Sequence, residues 1–270
     1  MMEQELSSYS PAEDGFELAG VRLRSRILLG TSRYPSPQHL LAAAQASETE
    51  VLTVSIRRIN LTHQRDTILG LLPEGKYRLL PNTAGCFTAK DAIFTAELAR
   101  ELLGTHWVKV EVIGDERTLL PDPIELLIAC EALVRSGFVV LPYCSDDPIL
   151  CKRLADLGCA AVMPLAAPIG SGLGIRNPHN LELIRASVQL PVIVDAGIGT
   201  ASDATLAMEL GCDAILLNTA VAEAHDPISM ALAMKYGIWA GRAARRAGRI
   251  PMIRSGAQAS SPLFDLPRKV

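Results

Sequence analysis

Residues 106–115 read HWVKVEVIGD, a β-branched run that carries a lysine and a glutamate two positions apart. Side chains alternate along a strand, so Lys109 and Glu111 share one face with Ile113 while Val108, Val110 and Val112 share the other. Two strand rises separate the Cα atoms of Lys109 and Glu111 by about 7 Å, close enough for both long side chains to work in one pocket. Two readings fit an amine and a carboxylate in such company. One is an ion pair that helps pack a core. The other is a nucleophile: desolvation lowers a lysine's pKa, and the neutral amine attacks a ketone to form a Schiff base.

The elements that must position this pair follow a βα rhythm. Residues 16–23, FELAGVRL, alternate around Ala19-Gly20 and read as a small hairpin able to cap one end of a barrel. Short apolar strands are then expected at 27–29, 51–56, 78–80, 108–113, 138–141, 161–164, 191–195 and 214–217. Helices are expected between and after them at 37–46, 62–72, 88–103, 123–135, 147–156, 177–186, 202–210 and 227–246. Crossovers of this kind demand parallel pairing. Continuously apolar strands mean that helices cover the sheet. Eight such units close most simply into a (β/α)8 TIM barrel, an α/β fold. An open doubly wound sheet is the alternative. It would carry a GxGxxG turn after its first strand, where this chain has Gly30-Thr31-Ser32-Arg33. The expected organisation is one barrel domain over residues 1–250, including the N-terminal extension, and a Ser-, Pro- and Gly-bearing tail over 251–270.

Barrel active sites lie at the C-terminal strand ends, and the unusual residues gather there. Lys109 and Glu111 lie on strand four, Asn82 follows strand three, and Asp195 ends strand seven. Asp195 reads either as a second proton-transfer group or as a carboxylate accepting loop N–H groups. The loop after strand six reads PIGSGLGIRNP, followed by DAGIGT after strand seven and NTAVAEA after strand eight. Three neighbouring loops of this type suit a phosphate. A short helix at 219–224 would present its N-terminus to it. Gly170, Ala196, Gly197, Asn218 and Thr219 are the residues expected around the phosphate. A phosphorylated sugar carries both an anion for these loops and a carbonyl for Lys109.

Composition excludes other classes. The chain has 270 residues, 49% hydrophobic and 20% charged, which allows one large core. A net charge of −3 gives no case for nucleic acid or an anionic membrane. No stretch reaches the ~18 apolar residues of a membrane span, and the polar N-terminus is not of signal-peptide type, so a cytoplasmic protein is expected. Six cysteines without a CxxC pair, and five histidines without HxxxH, read as reduced core residues rather than metal ligands. No metal and no cofactor are expected. Arg57-Arg58, Cys86 and Cys144 are weaker candidates for anion binding or nucleophilic chemistry.

The motifs PNTAGC, VKVEVIGD, TLLPDP, LPYCSDDP, GCAAVMPL, PIGSGLGI, VIVDAGIGTASDA and ILLNTAVA occur in an order that resembles the bacterial thiazole synthases of thiamin biosynthesis. The resemblance runs from LLGTSRYPS to DPISMA. It implies a sulfur-transferring enzyme whose Lys109 forms a Schiff base with 1-deoxy-D-xylulose 5-phosphate. Glu111 and Asp195 would serve acid–base steps, and Gly170, Ala196-Gly197 and Asn218-Thr219 would hold the phosphate. Sulfur would come from the thiocarboxylate of a sulfur carrier protein. Carbon and nitrogen would come from dehydroglycine, made by a separate glycine oxidase or tyrosine lyase. A homo-oligomer, a dimer or more specifically a homotetramer, is implied as well. Two departures stand out: Ala166-Ala167 where Gly-Ser is usual, and Cys144 where Thr is common. A Schiff-base aldolase acting on another ketose phosphate is the competing activity.

Overall fold

The computed structural model describes residues 14–56, 68–253 and 255–256. Strands β1 (Phe16–Leu18) and β2 (Val21–Leu23) form the expected antiparallel hairpin. Ala19 and Gly20, both with positive φ, make its turn. The barrel strands are β3 (Ile27–Gly30), β4 (Val51–Ser55), β5 (Arg78–Asn82), β6 (Trp107–Val110), β9 (Val139–Cys144), β10 (Met163–Pro164), β11 (Ile193–Asp195) and β12 (Ala214–Leu217). They pair in parallel in the order β10-β9-β6-β5-β4-β3-β12-β11. A parallel bridge between Val162 and Val192 joins the two ends, with Val162 N–H donating to Pro191 O and Ile193 N–H to Val162 O at 3.0 Å each. The sheet is therefore the expected (β/α)8 barrel.

The helices are α1 (Pro37–Ser47), α2 (Ile68–Leu71), α3 (Ala89–Leu103), α4 (Pro123–Arg135), α5 (Pro148–Asp156), α6 (Pro178–Ser187), α7 (Ala201–Glu209), α8 (Thr219–Ala222) and α9 (Pro227–Ala247). Their starts follow local chemistry. Ser36, Thr88, Asp122, Asp147, Asn177 and Asp226 each accept N–H groups of the first turn. Proline stands in the first turn of five of those six helices, where its missing N–H costs nothing. Of the helix expected at 62–72, residues 68–72 fall among the described residues, of which 68–71 are helical, and Arg57-Arg58 lie outside them.

Two apolar layers result. Leu28, Val51, Leu80, Trp107, Leu141, Met163, Ile193 and Leu216 point into the barrel. Phe16, Leu18 and Leu23 of the hairpin join them and fill the N-terminal end, as the sequence suggested. The alternate residues, among them Leu29, Leu52, Val108, Val140 and Val194, face the helices. Asp14, just before the hairpin, ties this plug down. Its carboxylate meets Arg26 Nε at 3.1 Å, Arg242 Nε at 3.0 Å and Arg246 Nη2 at 2.5 Å, the last two on α9.

One expected element is corrected. Strand four was read through residue 113, but β6 ends at Val110 and the chain then leaves the barrel. Residues 113–115 form β7 (Ile113–Asp115), which pairs antiparallel with β8 (Leu120–Pro121) as a small ribbon over the C-terminal rim. Ile113 N–H donates to Cys86 O and Asp122 N–H to Val112 O, so the departing backbone is satisfied by the neighbouring loop and by the start of α4.

Candidate active site

Lys109 sits on β6, opposite Asn82 of β5 on one side and Leu141 of β9 on the other. Its side chain points into the barrel, 5% exposed. Its Nζ lies 3.1 Å from Glu111 Oε1 and 2.6 Å from Asp195 Oδ2. Both carboxylates are buried too, Glu111 at 5% and Asp195 at 2%. The Tyr143 ring stands 5.7 Å from Nζ and walls the group from the β9 side.

Glu111 is not held by the sheet, because β6 has already ended. Thr83, fully buried in the loop after β5, holds it instead. The Thr83 hydroxyl accepts the Glu111 N–H at 2.8 Å and donates to the Glu111 carbonyl at 2.8 Å. Thr83 N–H donates to Lys109 O at 3.1 Å. One residue thus fixes the backbone on both sides of the lysine–glutamate step. A second polar chain runs around the mouth: Thr31 Oγ1 donates to Thr53 O at 2.9 Å, and Asn82 Nδ2 donates to Thr53 Oγ1 at 3.1 Å.

The electrostatics differ from the expectation drawn from burial alone. Burial is the largest single influence on Lys109 and works to strip its proton. The charges and hydrogen bonds of Asp195 and Glu111 together outweigh it, so the ammonium holds its proton more tightly than a free lysine. The lowered lysine pKa read from the sequence is therefore corrected: the resting group is an ammonium. The compensating change falls on Asp195. Burial pushes its pKa up to about 6, assisted by the charge of Glu111 and opposed by Lys109. Asp195 is thus a carboxylate near neutral pH, more basic than an ordinary aspartate and 2.6 Å from the ammonium whose proton it would have to take.

A cavity of about 560 Å³ opens above this trio. Gly170, Ala196, Gly197, Asn218 and Thr219 all line it, along with Lys109, Glu111 and Asp195. Ala196 and Gly197 adopt φ of 77° and 81° directly after Asp195, turning the chain sharply at the end of β11. A Cβ at Gly197 would lie 2.3 Å from Ala167 N, so only glycine fits. Asp203, in α7, accepts Gly199 N–H at 3.0 Å and Thr200 N–H at 3.1 Å and pins the rest of that loop. Asn218 precedes the short helix α8 and packs its side chain over Gly30, where any Cβ would lie 2.5 Å from Asn218 Cβ. The Asn218 Oδ1 is buried with no partner among the described residues.

Cys86 and Cys144 do not line the cavity. All six cysteines are buried and free. Burial raises the Cys144 thiol well above its ordinary value, and its Sγ lies 3.7 Å from that of Cys151. Neither cysteine is placed as a nucleophile. Sequence reasoning did not single out Thr83, Thr53 and Tyr143, which the structure sets beside these residues. Each sits at or just beyond a strand end, the position that could have marked them.

The same chain can be set beside known proteins. The family model described as thiazole biosynthesis protein ThiG matches residues 17–262. A thiazole synthase of Methylobacterium sp. (strain 4-46) is 59% identical over 255 residues, covering 94% of this chain and 95% of the relative. The thiazole synthase of Geobacter metallireducens is 54% identical over 255 residues, covering 94% and 98%. Among solved structures, the Amycolatopsis orientalis BexX/CysO complex contains a chain that superposes with a TM-score of 0.80 at 30% identity, covering 88% of this chain and 98% of that one.

Proposed function

The chain belongs to the family of thiazole biosynthesis protein ThiG, the thiazole synthases of thiamin biosynthesis, and from that premise we propose that it condenses 1-deoxy-D-xylulose 5-phosphate, dehydroglycine and carrier-borne sulfur into the thiazole phosphate carboxylate. The observation that carries this reading is a buried amine within 3.1 Å of two buried carboxylates at the C-terminal end of a barrel.

The steps follow from the charges. The Lys109 ammonium passes a proton to Asp195, the nearer carboxylate at 2.6 Å, whose pKa burial raises to about 6. The free amine adds to the C2 ketone of the sugar phosphate. Asp195 returns its proton to the departing hydroxyl, water leaves, and an iminium remains on Lys109. The cationic imine acidifies the C3 proton. Glu111 and Asp195 both lie within reach of that position for its removal, and reprotonation moves the carbonyl to C3. Gly170, Ala196, Gly197, Asn218 and Thr219 hold the phosphate and set the sugar in register with the amine. A carrier-protein thiocarboxylate supplies sulfur; the structurally similar chain of the BexX/CysO complex is compatible with such a partner. Dehydroglycine comes from a separate glycine oxidase or tyrosine lyase, and the working assembly is a homotetramer.

Borohydride reduction in the presence of 1-deoxy-D-xylulose 5-phosphate tests the reading. The expected result is one reduced sugar phosphate on the peptide containing Lys109; an unmodified Lys109 at saturating sugar overturns it. Addition of carrier thiocarboxylate and dehydroglycine to the same enzyme should then yield thiazole phosphate. Retro-aldol products in its place would instead identify a Schiff-base aldolase of another ketose phosphate.

A further inference from the structure

The loops around the cavity offer a phosphate dianion backbone N–H groups, and the trio around Lys109 adds no free cation to them. Among the described residues lining the cavity, the charged side chains are Arg33, Lys109, Glu111, Asp195 and Glu223. Lys109 is committed to two carboxylates. Glu223, at the end of α8, is an anion one helical turn beyond Thr219 and repels a phosphate. Arg33 is what remains.

Arg33 lies in the loop after β3, and Glu223 in the loop after β12. These strands are neighbours, with Leu29 opposite Leu217, so both loops leave the same seam of the barrel. Arg33 reaches across the seam and donates from Nη1 to Glu223 Oε1 at 2.7 Å. The side chains are 58% and 48% exposed. An ion pair this wet is weakly held, because water screens it and two long side chains must be ordered to make it. A guanidinium on a phosphate makes parallel charge-assisted hydrogen bonds and is the stronger contact.

We propose that Arg33 is the phosphate-clamping cation of the site and that Glu223 parks it in the empty enzyme. This rests on the sugar-phosphate reading above and deepens it. An arriving phosphate repels the Glu223 carboxylate and takes its guanidinium, so the Arg33 side chain turns to the ligand as the parked pair parts. Selectivity for a phosphorylated over an unphosphorylated ketose then resides in Arg33, and Glu223 sets how readily it is released.

The test compares wild type, R33Q, R33K and E223Q by borohydride trapping with 1-deoxy-D-xylulose 5-phosphate and with 1-deoxy-D-xylulose. R33Q is expected to raise half-saturation for the phosphorylated sugar about tenfold or more. It should leave that for the unphosphorylated sugar, and the maximal yield of adduct, unchanged. R33K should recover part of the loss, and E223Q should bind the phosphorylated sugar more tightly than wild type. An equal loss on both sugars, or none on either, overturns the proposal. Thermal stabilisation by inorganic phosphate provides a readout without the imine. If wild type traps no sugar, the sugar-phosphate reading fails. The Arg33 assignment is then decided by whether R33Q abolishes the phosphate-induced shift, which supports it, or keeps it, which overturns it.

Discussion

Lys109 and Asp195 meet at 2.6 Å although their strands never touch. Going around the closed barrel, β9 and β10 stand between β6 and β11. The contact spans the barrel interior and exists only once the Val162–Val192 seam has joined the sheet. The geometry of this trio and barrel closure are therefore one event: an open sheet would leave the amine with Glu111 alone.

Replacing Lys109 with arginine keeps a cation between the two carboxylates but removes an amine able to lose its proton. The variant should fold and still bind the sugar phosphate, form no borohydride-trapped adduct, and lose turnover by about 10³-fold or more. Peptide mapping after reduction checks it; an adduct on any other residue contradicts the assignment.

Asp195→Asn removes the proton acceptor. Imine formation should slow by about 10²–10⁴-fold. In wild type, kcat/KM should climb as pH rises through about 6, where Asp195 loses its proton, and the variant should lack that limb. Stability moves the other way. Folded Asp195 holds a proton more tightly than the ordinary value of 3.8, so between 3.8 and about 6 the folded state binds more protons than the unfolded one, and stability falls as pH rises across that window. Urea titrations at pH 4 and 6.5 should show a shallower fall in the variant.

Thr83→Val preserves shape and deletes the hydroxyl that both accepts from and donates to the Glu111 peptide. Two buried backbone groups lose their partner, a cost of about 1–3 kcal/mol each. Thr83→Ser should restore both bonds. In a urea comparison with trapping rates, Val should lower stability and imine rate together while Ser stays near wild type. A Val variant with full trapping rate would mean that Glu111 needs no such hold.

Asp14→Ala leaves Arg26, 6% exposed, without its carboxylate. The loss should be about 2–3 kcal/mol, below the usual figure for a buried pair because Arg242 and Arg246 reach solvent. Burial pushes the Asp14 carboxyl up, but hydrogen bonds and charges from Arg242 and Arg26 outweigh it and hold it below 3.8. Its contribution is therefore complete above that value and lost as pH falls through the folded one. Acid unfolding monitored by circular dichroism should begin at lower pH in the wild type than in Asp14→Asn, whose stability should also change less with pH below 3.8.

The barrel was legible because each turn of its βα rhythm carries local signals that agree with the fold: Asp or Ser caps, first-turn prolines and β-branched strands. The site residues were legible because buried charges and clustered glycines are costly outside a functional setting. The β7–β8 ribbon was not. Glu111 and Val112 keep a strand-like pattern because they stay buried after the chain leaves the sheet at Val110. The turn that forms the ribbon uses Leu119 at φ 57°, a residue type that does not advertise that conformation. The protonation state of Lys109 was misjudged for a related reason. Its spacing from Glu111 shows in the sequence, but the approach of Asp195, 86 positions later, is a product of closure.

The hairpin plug has a consequence for traffic. With Phe16, Leu18 and Leu23 stopping the barrel below the lysine, the chamber is a cul-de-sac. A molecule that must reach the amine enters before anything that sits above it, and leaves only after that has gone. For any reaction that assembles several parts here, the order of loading is written into the architecture and not into the relative affinities of the parts.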